Sequence, residues 1–582
     1  MMKKIVPFFL LFTLFSCSNV DSSLESSQNR DSEMTMTDSL KTDTQGTTPS
    51  STEKELVKDE DGFYVLPDGY LEKGKKEEGK KKSRISYTDA LKDPFEEYKV
   101  FINDRKVLPY KVKVDTSHRF KDIGNQREDD ALLSFRMEGY CKITIQLKHP
   151  IFRKVTIRPL ESSLPYEVDK DYRTISFYVY NKGQYTIEFN DYTTKTLHLF
   201  VDDFKEEKNY QNDSSVLYFK KGIHNKSNDK RIGNDNIIRL NNNIKTVYLE
   251  EGAILQAGIF AYQVNDIKIL GNGMIDGSVF TRNATTNERL IPLEFQYCKN
   301  VLIQDVIFTD PAGWCLNLYY LDGVVVDNVK IITSRANGDG ISVQSCKNVE
   351  VKNCFVRTFD DTLVVKNYPK YGNYQLEGAT SNIYFHDCIL ITDLAQSMEV
   401  GYETIGEEMR DIRFENITVL HNYHHAVFSI HNGNNAKIRN VTYKNITVED
   451  ASMGEGDGNG RLLDFNVKHS STWSDNWKVT KLGDVATVRM NNIKVTGKNA
   501  PLYIEGSKDD RDNTIHEISD VSITDFKLND KVLKESDFSK NEYVKGFSVQ
   551  KTGNEITGSH INYSYTFEQV KKIYSSAVDF VS

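Results

Sequence analysis

Six segments of this chain follow one pattern. Each begins with Asn, Gly or Asp, continues apolar-x-apolar-x, and then reads Asn or Asp followed by apolar-x-apolar. They are Asn300–Phe308, Gly323–Ile331, Asn348–Val356, Asn382–Leu390, Asp411–Val419 and Asn440–Val448, and their starts lie 23, 25, 34, 29 and 29 residues apart. Weaker copies stand at Thr487–Val495 and Ile515–Ile523. A module that recurs every 20 to 50 residues or so signals a stacked architecture. Within each copy the apolar residues alternate, which is strand periodicity, and Val and Ile dominate as strands prefer. The sixth position is always Asn or Asp: Asp305, Asn328, Asn353, Asp387, Asn416 and Asn445. These side chains accept left-handed turns and hydrogen-bond locally, so the position reads as a corner between two short strands. The expected fold is all-β, a right-handed parallel β-helix whose coils bury their apolar positions against the coils above and below. A β-sandwich with coincidental spacing is the competing arrangement, and it gives no reason for an Asn corner at coil spacing.

The register of the repeat makes a prediction about cysteines. Cys354 and Cys388 fall at the same repeat position as Val306, Val329 and Ile417. They should therefore be stacked core residues and not metal ligands or a disulfide. No Cys-x-x-Cys or His-Glu-x-x-His signature is present, and neither a phosphate-loop nor a dinucleotide fingerprint occurs. No metal or other cofactor is expected.

Outside the repeat the chain divides by composition. Met1–Lys4 followed by an apolar run to Phe15 reads as a signal peptide, residues 1–17. It ends Leu-Phe-Ser-Cys17, like a bacterial lipobox, so Cys17 is the expected lipidation site of an exported lipoprotein, periplasmic or on the outer-membrane surface. The run is too short for an ordinary spanning helix, so membrane contact is expected through the lipid anchor only. Residues 18–84 are rich in Ser, Thr, Asp, Glu, Asn and Gln and read as a disordered linker. Residues 85–204 carry short alternating stretches, among them Tyr98–Ile102, Cys141–Leu147 and Leu197–Val201, which suggest an N-terminal antiparallel β-sandwich. The β-helix should occupy 205–530, and 531–582 should form a C-terminal cap. The basic run at 73–82 is interleaved with Glu and the net charge is −9, which argues against nucleic acid as a partner. A monomer is expected.

Chemistry concentrates in residues 337–368. Asn337-Gly338-Asp339-Gly340 precedes Asp360-Asp361 by about one coil, since Asp339 and Asp360 are 21 residues apart. Adjacent strands lie about 4.8 Å apart, so three carboxylates are expected to converge on one outer face. Glycoside hydrolysis requires such a set: one group protonates the leaving oxygen and another activates water or attacks the sugar. Asp-Gly and Asp-Asp are also common in plain turns, and the coil spacing is what separates the two readings. His421, His424, His425 and His431 form a second cluster in the sequence, read as loop or subsite histidines before a metal site.

At these residues the chain resembles the polygalacturonase-like superfamily of β-helix glycosidases, which includes the polygalacturonases (family 28) and the dextranase/isopullulanase group (family 49). The likeness lies in Gly271–Gly277, the Asn-Gly-Asp-Gly segment, and the Asp-Asp segment with Lys366 five residues on. Asp361–Tyr368 is similar to the Asp-Gly-Leu-Lys-Met-Tyr type of segment of the dextranase group, and Glu399-Val400-Gly401-Tyr402 to its Glu-Phe-Gly-Trp type. A β-sandwich ahead of the helix is typical of that group too. The polygalacturonase Gly-His-Gly and Arg-Ile-Lys segments are not found at the expected places, and family 49 keeps its aromatics at other positions. The resemblance implies an inverting hydrolase of α-glycosidic bonds in a polysaccharide or oligosaccharide. By motif position it implies Asp360 as general acid, Asp339 and Asp361 as the water-activating pair, and Lys366 as a contact to a substrate hydroxyl or carboxylate. Trp314, Tyr368, Glu399, Tyr402 and His425 are the further candidate substrate contacts; Tyr371 and Tyr374 lie nearby. A β-helix lyase or epimerase acting on uronates, and a non-catalytic carbohydrate-binding β-helix, are the alternatives. The Asp triad fits hydrolysis better than either.

Overall fold

The computed structural model describes residues 57–58, 64–65, 84–116, 127–151, 153–281, 291–367, 378–453, 460–469 and 481–552. The expected signal peptide and Cys17, most of the linker, Tyr368, Tyr371, Tyr374 and the residues from 553 on lie outside the described residues. The chain divides into two compact units, residues 1–83 and 84–582. In the first, Val57–Lys58 pairs antiparallel with Tyr64–Val65.

The second unit holds the parallel β-helix. Each central coil contributes three strands. In the coil that carries Asp339 these are Asp322–Asp327, Lys330–Ile332 and Ile341–Gln344. The next coil has Lys347–Lys352, Phe355–Thr358 and Leu363–Asn367, and the one after it Gly378–His386, Ile389–Thr392 and Met398–Thr404. Third strands pair only with third strands, forming one eleven-stranded parallel sheet, while first and second strands share a twenty-stranded one. The parallel ladder starts at Val216–Phe219 and continues through Val544–Gln550, which pairs parallel with Ile518–Leu528.

The repeat maps onto this geometry at both ends of its pattern. All six sixth-position residues have φ between +53° and +68°, and the first positions Asn300, Gly323, Asn348, Asn382, Asp411 and Asn440 are left-handed as well. Left-handed backbone costs most L-residues roughly 1–2 kcal/mol and Asn or Asp less, because their side chains bond locally. The corners also link coils: Asn328 Nδ2 donates to Asp305 Oδ1 at 2.7 Å, and Asn445 Nδ2 to Asn416 Oδ1 at 3.0 Å. One correction follows. The weak copy at Ile515–Ile523 is displaced, since the left-handed residues are Asp520 and Asp525, so the copy is Asp520–Leu528. Ile515 instead sits in a small antiparallel hairpin and is exposed. An earlier coil turns at Asp266 and Gly271 without matching the pattern, since its corner is Gly, Asn272 follows where the repeat is apolar, and Met274 pairs with Ile307 one residue out of step. Gly271 has φ +108°, and a Cβ there would stand 2.0 Å from the Leu249 carbonyl oxygen.

The core is the inward column set. The pairings Ile307–Lys330–Phe355–Ile389–Thr418 place the residues just before them, Val306, Val329, Cys354, Cys388 and Ile417, in one stack. All five are buried in a single apolar cluster, and both thiols are free, as the register predicts. Phe385, Phe414 and Tyr443 stack on successive coils with ring centroids 5.0 and 5.1 Å apart.

Residues 84–204 form two facing sheets with their own core, including Val100, Phe135, Ile143, Phe177 and Leu199. Strand pairs are antiparallel, as expected, except that Leu197–Asp203 runs parallel to Glu128–Glu138. This sandwich covers the outer face of the second strands: Val112, Val114, Leu132 and Phe200 pack on Met274, Ile307, Ile332, Phe355 and Ile391. At the centre of that contact Arg357, fully buried, donates to Asp130 of the sandwich at 2.7 Å and to Asp393 of the next coil at 3.1 Å. Lys330 Nζ reaches Asp202 at 2.7 Å, and Arg158 reaches Glu449 at 2.8 Å. Removing one partner of a buried pair leaves an uncompensated charge, which costs about 3–5 kcal/mol. Arg357→Ala should therefore lower the thermal midpoint of unfolding by several degrees in calorimetry. A midpoint equal to wild type would mean that Arg357 does not clamp the sandwich to the coils.

Candidate active site

The third sheet positions the site. Its pairings Leu316–Ile341–Leu363–Met398 are in strict register. Two residues before each of these stand Trp314, Asp339, Asp361 and Gln396, one per coil, in a column at the sheet edge. Backbone bonds continue the ladder through this edge: Cys315 N to Asp339 O at 2.9 Å, Gly340 N to Asp361 O at 2.8 Å, and Thr362 N to Gln396 O at 2.8 Å. Beneath the turns runs a buried chain of hydroxyls. Thr358 Oγ1 lies 2.8 Å from Thr362 Oγ1, which lies 2.8 Å from Thr392 Oγ1, which lies 2.7 Å from Ser397 Oγ. Thr358 also donates to the Asp360 carbonyl at 2.6 Å. These bonds hold the Phe359–Thr362 turn from below.

The carboxylates divide into two environments. Asp360, half-buried, accepts from the backbone N–H of Asn337 at 3.1 Å and from that of Asp361 at 3.0 Å. Asp339 and Asp361 are buried and share Lys366. The Lys366 Nζ lies 3.4 Å from Asp339, 3.7 Å from Asp361 and 3.4 Å from Glu403, and 5.1 Å from the Trp314 ring. Burial pushes Asp339 up to about 8; Lys366 opposes the shift, and Asp360 and Glu403 reinforce it. Asp361 is raised well above the usual carboxylate range, again first by burial, with Lys366 opposing and Asp339 adding to it. Burial alone would lower Lys366, but Glu403, Asp339 and Asp361 together raise it. Crowded carboxyls beside one cation cannot all ionise, so the group retains a proton near neutral pH.

One coil further on, the outward side of the third sheet is charged. His431 Nδ1 lies 2.9 Å from Glu399, its Nε2 lies 3.4 Å from Asp464, and the Tyr402 ring stacks on it at 4.1 Å. Burial would keep His431 neutral, but Glu399 and Asp464 raise it to about 10. Gln396 Nε2 lies 3.4 Å from His425 Nδ1, and its backbone N–H donates to Asp361 at 3.3 Å. The candidate residues Trp314, Lys366, Glu399 and Tyr402 thus lie on the same or adjoining coils as the three acids, and His425 lies two coils beyond Asp361. The four histidines do not converge: His421 bonds Glu188 of the sandwich and Asp450, whereas His431 stands on the third sheet between Glu399 and Asp464. Among the described residues no group of three or more His, Cys, Asp and Glu is placed to hold a metal. Two participants escaped the sequence reading. Gln396 shares the Asp column, and Glu403 is the third carboxylate on Lys366. The pairing register could have found the first; nothing in the sequence singles out the second.

Residues 225–454 match the family model of the glycosyl hydrolases family 28. A protein described as a probable polygalacturonase from Vitis vinifera is 24% identical over 173 residues, 28% of this chain and 35% of that protein. The polygalacturonase of Gossypium hirsutum is 20% identical over 285 residues, 40% of this chain and 70% of that protein. Among solved structures, Dex49A from Penicillium minioluteum aligns with a TM-score of 0.47 at 12% identity, covering 80% of this chain and 97% of that one. The family 28 exopolygalacturonase of Yersinia enterocolitica aligns with a TM-score of 0.39 at 14% identity, covering 70% and 96%. The matched stretch contains the motifs on which the resemblance rests, from Gly271–Gly277 through Asp339, Asp360 and Asp361 to Glu399–Tyr402. The resemblance to polygalacturonase-like β-helix glycoside hydrolases holds over it.

The raised Asp339 carboxyl carries a stability cost with a definite sign. Its folded pKa of about 8 exceeds an unfolded value near 3.9, so the native state binds more protons between those limits. Stability should be full below about pH 4 and decline as pH rises toward 8. Asp339→Asn removes this term. The variant should match wild type in thermal midpoint near pH 4 and exceed it near pH 8. A variant less stable than wild type at pH 8 would contradict the assignment.

Proposed function

We propose that this relative of the family 28 glycosyl hydrolases is an exported hydrolase that cleaves α-glycosidic bonds of a polysaccharide with inversion, using Asp339, Asp360 and Asp361. The observation that carries the reading is the meeting of the three acids on two consecutive coils, with Lys366 between Asp339 and Asp361. Asp360 is the proton donor, as its motif position implies, and it is the one of the three not buried beside Lys366. Asp339 and Asp361 form a dyad that shares a proton and holds the attacking water. One member is ionised with the support of Lys366 and takes the proton from water, and the other orients it, which is the logic by which paired carboxyls activate water elsewhere. Thr358, Thr362 and Thr392 keep the turn rigid, which is what precise placement of acid and water demands. Glu399, Tyr402 and Trp314 border the reacting sugar.

Asp360→Asn should reduce turnover by at least about a hundredfold, because a general acid contributes roughly 10² to 10⁴. Binding should survive. A panel of dextran, polygalacturonate and related polymers, with products separated by chromatography, provides the assay. Turnover near wild type in the variant, or an unsaturated product of a lyase, would overturn the reading. Proton NMR of the first product should show the inverted anomer. Activity should fall as pH rises through about 8, where Asp339 gives up the shared proton. Export by the residue 1–17 leader with acylation at Cys17 belongs to the same proposal; Cys17→Ser should release the protein from the detergent-extracted fraction or block its maturation.

A further inference from the structure

The turn that carries Asp339, residues 333–340, is held from outside the coils as well as from within. It is tight. Asn337 is left-handed at φ +51°, the Gly338 N–H donates to the Arg335 carbonyl at 2.9 Å, and a Cβ on Gly338 would stand 2.6 Å from that oxygen. From within, the Thr333 hydroxyl donates to the Gly338 carbonyl at 2.5 Å and accepts from the Phe359 N–H at 3.1 Å. At the tip the Asn337 N–H donates to the Asp360 carboxylate at 3.1 Å. The conformation of this turn therefore sets one of the two backbone donors on the proposed acid.

The outer hold comes from the sandwich. Arg127, the residue before strand Glu128–Glu138, donates from Nε to the Ser334 hydroxyl at 2.9 Å and from Nη2 to Asp310 Oδ1. Arg335, next to Ser334 in the turn, is bidentate on the same carboxylate, Nε to Oδ1 at 3.0 Å and Nη2 to Oδ2 at 2.9 Å. Its Nη1 donates to the Phe280 carbonyl at 2.7 Å. Asp310 follows strand Ile307–Thr309, one coil before the turn. Ser334 is fully buried, and the Arg127, Arg335 and Asp310 side chains are 16–20% exposed. A guanidinium presents its donors in a fixed plane and loses little freedom when it bonds. Two such forks closing on one carboxylate fix residues 334 and 335 against both the preceding coil and the sandwich. Another sandwich contact is of the same interdomain kind but lies three coils from Asp360: Lys92 Nζ donates to Asp276 at 2.8 Å and to Ser278 at 3.0 Å.

We infer that Arg127 is a positioning residue for the acid cluster. By tying Ser334 and the Asp310–Arg335 pair to the sandwich, it holds the turn in the conformation that aims the Asn337 N–H at Asp360 and brings Asp339 to Lys366. The inference rests on the reading of Asp360 as proton donor and Asp339 as part of the water-holding pair, and it makes the sandwich a contributor to the reaction although it carries none of the three acids. The test reads the turn and the reaction separately, in the full chain. In hydrogen–deuterium exchange followed by mass spectrometry, residues 334–340 should exchange faster in Arg127→Ala than in wild type, with residues 412–419 of a later coil unchanged. On whichever of dextran and polygalacturonate the wild type cleaves, Arg127→Ala should lower kcat by about 10- to 100-fold, because a displacement near 1 Å at the reacting groups costs about 10²-fold. KM should stay within about twofold, since Trp314, Glu399 and Tyr402, which border the sugar, lie outside the turn. Arg127→Lys keeps the charge beside Asp310 without the fork and should fall between the two in both readouts. Lys92→Ala removes an interdomain ion pair away from the turn and should match wild type in both. Unaltered exchange at 334–340 in Arg127→Ala, unaltered kcat in an active enzyme, or an equal fall in kcat in Lys92→Ala would overturn the inference. Faster exchange at 334–340 in a protein that cleaves neither polymer would support the brace and overturn the proposed catalysis.

Discussion

Everything at the candidate site depends on coil-to-coil register in the third sheet. The pairing Leu316–Ile341–Leu363–Met398 stacks Trp314, Asp339, Asp361 and Gln396 at its edge and points Lys366 at the same place. A slip of one residue in any of these strands would send the outward side chains into the core and the apolar ones out. The inward columns forbid that slip, because Val306, Val329, Cys354, Cys388 and Ile417 are matched in size and close-packed along the axis. The left-handed corners forbid it again, since only certain residues turn there at low cost.

The core of the coils supports a cluster that is itself unfavourable. Asp339, Asp361, Glu403 and Lys366 are held largely away from water with three acids to one base. Burial raises both aspartates, which is a penalty on the folded state at neutral pH and leaves the pair holding a proton there. A second buried charge cluster lies on the strand before the acid turn, Phe355–Thr358. Arg357 immediately precedes Thr358, whose hydroxyl holds the Asp360 turn, and it ties that strand to Asp130 of the sandwich. The sandwich thereby braces the strand that leads into the acids.

Much of this was legible before any coordinates. Alternation of Val and Ile, the Asn or Asp corner at the sixth position and the spacing of copies led to parallel coils, and the register placed Cys354 and Cys388 inward. The coil length between Asp339 and Asp360 led to three acids on one face. The misread copy and the unmatched coil have identifiable causes. Asp520 and Asp525 both satisfy the corner rule, so the pattern alone did not say which opens the copy, and Gly271 serves as a corner without being Asn.

What the sequence by itself determined is therefore the local and periodic part: strand against turn, coil against coil, and which residues share a column. These follow from side-chain alternation and backbone preference, which act over a few residues. Tertiary structure alone decided the rest. Glu403 joins Lys366, His431 lies between Glu399 and Asp464, Arg357 bridges to Asp130, and Arg127 and Arg335 meet on Asp310. Each of these contacts joins side chains from different coils or domains, whose meeting depends on loop lengths and on which face the sandwich covers. The shift of Asp339 belongs with them, because it arises from burial and from the summed field of neighbours brought together only when the coils close.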